Sequence, residues 1–310
     1  MNDVTTATVL PPAGIGKNLV HKHDPSQVLL SGLRRTGEDT FLITADWRNT
    51  GRPLTARGSH HDDAVLLTET IRQTFPLLSH AGFDVPFGHH LLWDEYRFAL
   101  DLAALRAADA GGRPDLHVRC HDIARRRGRV SALTLSISVR DGGRWLGNAH
   151  TRFSIQTPAV YQRLRGAHGD AEQAMATARS RPLPPPPASG EGEFRDSVLS
   201  PTDDRGRWQL RVDTHHPVYF DHPSDHAPGI LLLEAAQQAA RSMRHASSGV
   251  TEAMETLFHR YIELDSPCWV EATPLPNDQQ DRTRILVTMR QDGQLCFTAL
   301  VSLAGAPPAR

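Results

Sequence analysis

Two segments of this sequence share one layout. His61 stands eight positions before Glu69, and Glu69 is followed at i+3 and i+4 by Arg72 and Gln73. His226 stands eight positions before Glu234, which is followed at the same distances by Gln237 and Gln238. Residues three and four apart share a helix face. Each segment therefore reads as a helix with a polar stripe among apolar neighbours, Leu66, Leu67 and Ile71 in one and Leu231, Leu232 and Leu233 in the other. A pattern that recurs at matching places implies an internal repeat, and so two units built on one plan.

The order of the other elements supports the repeat. Between the halves, residues 179–193 read Arg-Ser-Arg-Pro-Leu-Pro-Pro-Pro-Pro-Ala-Ser-Gly-Glu-Gly-Glu, which favours stiff polyproline II followed by a flexible stretch. Before it, strands are expected at 28–34 and 40–47 around Thr36-Gly37-Glu38-Asp39, with Phe41, Ile43, Ala45 and Trp47 alternating toward one face. A helix capped by Asp62 or Asp63 follows, and Pro76 should interrupt or end it. Strands then come near 93–100, 116–123, 130–139 and 145–155, the last two joined by Asp141-Gly142-Gly143. The second half repeats this with a strand at 208–212, a helix at 228–244 and strands at 257–264, 268–273, 285–290 and 295–303, the last pair around Asp292-Gly293.

One helix among several antiparallel strands buries its apolar stripe best when the sheet curls around it. The expected fold class is α+β, a tandem (double) hotdog: two long central helices, each wrapped by an antiparallel sheet, with the sheets joined side by side. The expected boundaries are a flexible N-terminus at 1–18, a first hotdog at 19–160, a linker at 161–200, a second hotdog at 201–304 and a tail at 305–310.

At 310 residues, 39% hydrophobic and 22% charged, the chain can bury two cores. Its formal net charge of −1 supplies no field for a polyanion or an anionic bilayer, so neither nucleic acid nor membrane is an expected partner. Cys120, Cys268 and Cys296 are odd in number and form no CxxC, which argues against a disulfide framework or a zinc ribbon. The most apolar run, residues 229–236, is far short of the ~20 residues of a membrane span. With no N-terminal basic stretch leading into an apolar run, a cytoplasmic location is expected.

Pro228-Gly229-Ile230-Leu231 with Glu234-Ala235 and Gln238 resembles the Pro-Gly-x-Leu-x-x-Glu-Ala-x-x-Gln signature of the 3-hydroxyacyl carrier-protein dehydratases, which are hotdog proteins. The chain as a whole is more similar to the A-factor biosynthesis (AfsA-type) hotdog family, γ-butyrolactone synthases of filamentous actinobacteria. The similarity rests on Leu19-Val20-His21-Lys22, Val28-Leu29-Leu30, Arg34-Arg35-Thr36-Gly37-Glu38-Asp39, Glu69-Thr70-Ile71-Arg72-Gln73, Leu78-Ser79-His80, Val85-Pro86-Phe87-Gly88-His89 and Asp221-His222-Pro223-Ser224-Asp225-His226-Ala227-Pro228-Gly229. It covers most of 19–155 and 205–303.

That resemblance implies an acyltransferase. It would move a 3-oxoacyl chain from acyl carrier protein, or CoA, to the hydroxyl of dihydroxyacetone phosphate, leading to a butyrolactone, butenolide or furan signal. No cofactor and no metal is expected, and the chain would act as a monomer or homodimer. The alternatives are a hotdog dehydratase or thioesterase, or a non-catalytic acyl or lactone binder.

By analogy with the dehydratases, the amide of Gly229 at the helix start polarises the thioester oxygen, opposite a carboxylate from the other half. Glu69, buried and with a raised pKa, is then the expected general base, and Glu234 belongs to a mirrored, vestigial site facing His60 or His61. Arg72, Gln73, His222, His226, Gln237, Gln238 and Arg241 are candidates for binding substrate. The family usually carries Arg where this chain has Gln237, and Arg241, one turn on, is a substitute cation. His222 and His226 do not read as a metal pair, because Pro223 lies between them. Arg125-Arg126-Arg127-Gly128-Arg129 reads as a solvated hairpin turn or as a basic tip for an acidic carrier protein.

Overall fold

The computed structural model describes residues 14–47, 61–107, 112–179, 197–243 and 250–304. The chain divides into two compact units, one of residues 1–52, 66–93 and 98–158, the other of 53–65, 94–97 and 159–310.

The first unit holds β1 (Leu30–Gly37), β2 (Thr40–Ala45), most of α1 (His61–Leu77), both ends of β3 (His90–Leu100), α2 (Leu102–Ala107), β4 (Asp115–Arg126), β5 (Arg129–Asp141) and β6 (Arg144–Gln156). Its strands run in the order β1-β2-β4-β5-β6-β3, and β1 through β6 pair antiparallel along that order.

The second unit holds α3 (Pro158–Arg165), α4 (Ala171–Ala176), β7 (Leu199–Pro201), β8 (Arg207–Leu210), α5 (Gly229–Ser242), β9 (Thr251–Phe258), β10 (Cys268–Leu275), β11 (Thr283–Gln291) and β12 (Gln294–Leu303). Its order is β7-β8-β10-β11-β12-β9, all antiparallel. The two orders match strand for strand. In each, two strands precede the long helix, and the first strand after it takes the last place in the order. This is the tandem hotdog that the repeat implied.

Local sequence explains the hairpins. Arg127 and Gly128, Gly142 and Gly143, and Asp292 and Gly293 all have positive φ, between 50° and 83°. A two-residue loop with both residues left-handed matches the twist of the strands it joins, and glycine makes that conformation cheap. Between the turns, alternation sets the faces. Ile285, Val287 and Met289 of β11 are buried while Leu286 and Thr288 are not.

Each helix buries its stripe within its own unit. Phe75 of α1 stacks on Phe153 of β6 at 4.8 Å and meets Trp93 of β3 edge-on at 5.2 Å. Leu231, Leu233, Ala235, Ala236, Ala239 and Ala240 of α5 are buried, and the helix packs on β10, β11 and β12. The small alanines bring helix and sheet close together.

Three expectations are corrected. Pro76 does not end α1, which runs on to Leu77 and then widens into a π-turn over Leu78–Gly82. The wide turn directly follows the residue that lacks an N–H. The strand expected at 257–264 lies instead at Thr251–Phe258, where pairing with β12 overrides the helical propensity of Glu252, Ala253, Met254 and Glu255. The stretch from 161 is not all linker, because α3 runs into it, α4 lies within it, and Tyr161 and Arg165 are buried. The polyproline run itself, the N-terminus to residue 13 and the tail from 305 lie outside the described residues. Among the described residues no helix is long and apolar enough to cross a membrane.

Candidate functional site

In the first unit the polar stripe of α1 forms one tight cluster. Glu69 is 2% exposed, and its Oε1 receives Lys22 Nζ at 3.1 Å, Arg72 Nη2 at 2.8 Å and Gln73 Nε2 at 2.9 Å. Its Oε2 receives Arg72 Nε at 2.7 Å. Burial pushes the carboxyl pKa up, but the charges of Arg72 and Lys22 and the hydrogen bonds from Arg72 and Gln73 outweigh it and hold the group well below the usual carboxylate range. The expectation of a raised pKa is therefore corrected. Lys22, which the sequence offered only as part of a family segment, supplies the second cation.

Gln73 does more than hold Glu69. Its Oε1 accepts the backbone N–H of Leu29 at 2.9 Å, and its Nε2 donates to the carbonyl of Gln27 at 2.8 Å. The amide thus ties the helix to the chain entering β1.

In the second unit the same device recurs on α5. Gln238 Nε2 donates to Glu234 Oε1 at 2.8 Å, and Gln238 Oε1 accepts the N–H of Val198, the residue before β7, at 3.0 Å. Arg241 Nη2 reaches Glu234 Oε1 at 3.2 Å, one turn beyond where Arg72 stands in the first unit. Gln237, at the position of Arg72, is 1% exposed, and its Oε1 has no hydrogen-bond partner among the described residues.

A third cluster surrounds the loop that leads into α5. Asp225 Oδ1 lies 2.7 Å from His226 Nδ1. Burial raises the Asp225 pKa, but His226, Arg165 and Tyr161 together pull it well below the usual range, so the carboxylate is ionised and His226 Nδ1 donates to it. Arg165 Nε donates to Asp225 Oδ2 at 2.8 Å and Nη2 to the Asp225 carbonyl at 2.9 Å. Its Nη1 and Nη2 also reach the two oxygens of Glu263 at 2.7 Å each.

The Tyr161 hydroxyl donates to Asp225 at 2.8 Å, and the guanidinium of Arg165 lies 4.1 Å above the Tyr261 ring. The loop is pinned on its other side by the bond from Ala227 N to Ile262 O at 2.9 Å and by Ser224 Oγ to His226 O at 2.8 Å. Two residues after His226, Pro228 caps α5 without a side-chain hydrogen bond, and Gly229 opens the helix. Amides at such a start favour a negative charge.

The structure therefore joins Glu69, Arg72 and Gln73 in one cluster, Glu234, Gln238 and Arg241 in a second, and places His226 and Gly229 on one short segment. His222 pairs with its neighbour: its side chain is 54% exposed and its Nδ1 is 2.5 Å from Asp221 Oδ1. His60 is outside the described residues and the side chain of His61 is not described, so the contact expected between Glu234 and either His lies there too.

Tyr161, Arg165 and Glu263 were missed. Arg165 and Tyr161 lay in the expected linker, and the usable signal was Pro158 as a helix opener with Tyr161 and Arg165 at i, i+4. Arg125, Arg126, Arg127 and Arg129 stand exposed at the β4–β5 tip, and no carboxylate pairs with them among the described residues. All three cysteines are buried, and burial raises their pKa values, to about 12 for Cys120, which leaves them poor nucleophiles.

The A-factor biosynthesis hotdog domain matches residues 5–157 and 194–304. A 2-oxo-3-(phosphooxy)propyl 3-oxoalkanoate synthase of Streptomyces virginiae is 40% identical over 296 residues, 94% of this chain and 98% of that one. The synthase of the same name from Streptomyces griseus is 36% identical over 301 residues, 96% of this chain and 97% of that one. Among solved structures, one described as an oleoyl thioesterase from Lactobacillus plantarum superposes with a TM-score of 0.50 at 11% identity, covering 86% of this chain and 97% of that chain, which is a likeness of fold. Two copies of one strand order, each with its Glu-x-x-x-Gln helix, together with a family match over both, place this chain in the A-factor biosynthesis hotdog family.

Proposed function

We propose that this chain transfers a 3-oxoacyl group from the thiol of acyl carrier protein to the hydroxyl of dihydroxyacetone phosphate. The product is a 2-oxo-3-(phosphooxy)propyl 3-oxoalkanoate, the ester named in the relatives that match it almost end to end. The observation that carries the reading is the Asp225–His226 pair at 2.7 Å, three residues ahead of Gly229 at the start of α5, where no side chain caps the helix.

In this reading Asp225 accepts a hydrogen bond from Nδ1–H of His226, which leaves Nε2 to take the proton of the attacking hydroxyl. The hydroxyl oxygen bonds to the thioester carbon, and negative charge builds on the carbonyl oxygen facing the amide of Gly229. The C–S bond then breaks, and the proton held by His226 passes to the departing thiolate. Glu69 is not the base here. Two cations and an amide already hold its carboxylate, which makes it a weak proton acceptor, and it anchors Lys22 and Arg72.

A thioesterase would use the same residues with water in place of the alcohol. Supplying a 3-oxoacyl carrier protein with and without dihydroxyacetone phosphate, and weighing the products by mass spectrometry, separates the readings. The expected result is an ester that forms only with dihydroxyacetone phosphate. Release of the free acid at the same rate in both assays would replace transfer with hydrolysis, and binding without turnover would make the chain an acyl binder.

A further inference from the structure

A guanidinium 5% exposed, as Arg165 is, must be paired to be tolerated, and a single carboxylate would supply the opposite charge. Arg165 is instead held by two carboxylates, one backbone carbonyl and an aromatic face, and its contacts are divided in a particular way. Nε takes Asp225 Oδ2 and Nη2 takes the Asp225 carbonyl, so side chain and backbone of one residue are gripped together. Tyr161, one turn earlier on α3, donates its hydroxyl to the same carboxylate at 2.8 and 2.9 Å. With Oδ2 and the carbonyl occupied by Arg165, Asp225 Oδ1 is left directed at His226 Nδ1.

The other side of the arrangement is Tyr261. Its ring lies under the Arg165 guanidinium at 4.1 Å and meets the His226 ring edge-on, at 4.8 Å and 68°. The imidazole is thus confined between the carboxylate that Arg165 orients and the ring on which Arg165 rests. Glu263, with His168 at 3.5 Å, holds the far end of the guanidinium.

We propose that Arg165 is a positioning residue for His226: by clamping Asp225 at side chain and backbone, it fixes the orientation of the imidazole and keeps the Nδ1–H tautomer, so that Nε2 is presented as the proton acceptor. The inference rests on the role given to His226 above. It assigns a catalytic consequence to α3, the helix that the sequence pattern had placed in a linker. A purely structural ion pair predicts something different, a loss of stability with no link to His226.

Arg165→Lys keeps the charge and removes the fork. With the 3-oxoacyl carrier protein and dihydroxyacetone phosphate as substrates, kcat should fall about 10- to 100-fold, as expected for a misplaced catalytic group, with KM changed less than about twofold. In a His226→Ala background the same substitution should change kcat by less than about twofold, because nothing remains to be positioned. Nitrogen-15 spectra of the imidazole in folded wild-type protein should show the Nδ1-protonated tautomer, and a mixture in Arg165→Lys. Should Arg165→Lys not fold, Glu263→Gln loosens only the far end of the clamp and should give a smaller kcat loss, again confined to the background that retains His226. Equal losses in both backgrounds, or an Nε2-protonated His226 in wild type, would overturn the proposal. A wild type that makes no ester would overturn the function instead, and the imidazole spectra, which need no turnover, would still decide the positioning role.

Discussion

Arg165 grips Asp225 twice, through Oδ2 at 2.8 Å and through the main-chain oxygen at 2.9 Å. The carboxylate therefore cannot turn away from His226 without breaking a buried ion pair. Replacing Asp225 by Asn keeps the shape but removes the ionised acceptor that selects the tautomer. Ester formation should fall by about 10²–10⁴-fold, the range spanned by general-base contributions and mis-set tautomers. A rate within about threefold of wild type in the mass-spectrometric assay would exclude an Asp225-held base.

Glu69→Gln should be costly in stability. Lys22 and Arg72 would lose the carboxylate that both now contact, and a cation left on a side chain only 3% exposed, as that of Lys22 is, is poorly tolerated. The expected loss is about 3 kcal/mol by chemical denaturation, and adding Lys22→Met should restore part of it by removing the stranded charge. An unchanged midpoint for Glu69→Gln would show that the cluster contributes little.

The direction of acid sensitivity follows from the same carboxylate. Burial raises its pKa, yet Arg72 and Lys22 leave it below the ordinary 4.5 in the folded chain. Above that value both folded and unfolded states are ionised, so the contribution is complete from neutral pH to about 5. As pH falls below 4.5 the unfolded chain binds a proton that the folded chain refuses, and stability declines toward the lower folded value. Asp225, depressed in the same sense from 3.8, adds to the decline at lower pH. Urea midpoints measured against pH should be flat and then fall, and the fall should be shallower in Glu69→Gln.

The two glutamine staples should behave alike. Gln73→Ala strands the N–H of Leu29, and Gln238→Ala strands that of Val198, each at a buried residue ahead of the first strand of its unit. A lost partner for a buried amide costs about 1–3 kcal/mol, and hydrogen exchange should report faster exchange at Leu29 and Val198 respectively. A large effect at only one of them would mean that the repeat in sequence is not a repeat in energetics.

Much of the fold was legible because it is carried by local patterns. Asp292-Gly293 and Asp141-Gly142-Gly143 announce their hairpins through residues that tolerate positive φ, and Ile285, Val287 and Met289 announce a face through a period of two. The strand at Thr251–Phe258 was not legible. Its Glu, Ala and Met residues favour helix, and only pairing with β12 makes them extended. Glu69 was found as a buried stripe residue, but its ionisation state was misjudged, because Lys22 lies 47 positions away in sequence and 3.1 Å away in space.

By itself the sequence determined that there are two units, that each is a helix set against antiparallel strands, and that a Glu and a Gln four residues apart recur on both helices. Periodicity, turn chemistry and repetition are properties of neighbours along the chain. Only the tertiary structure decided what those side chains are. It made the Gln residues staples to Leu29 and Val198, gave Glu69 two cations that outweigh its burial, and brought Arg165 across 60 positions to Asp225. A carboxylate's charge and an imidazole's tautomer depend on what stands within a few ångströms, and that distance is set by folding, not by order along the chain.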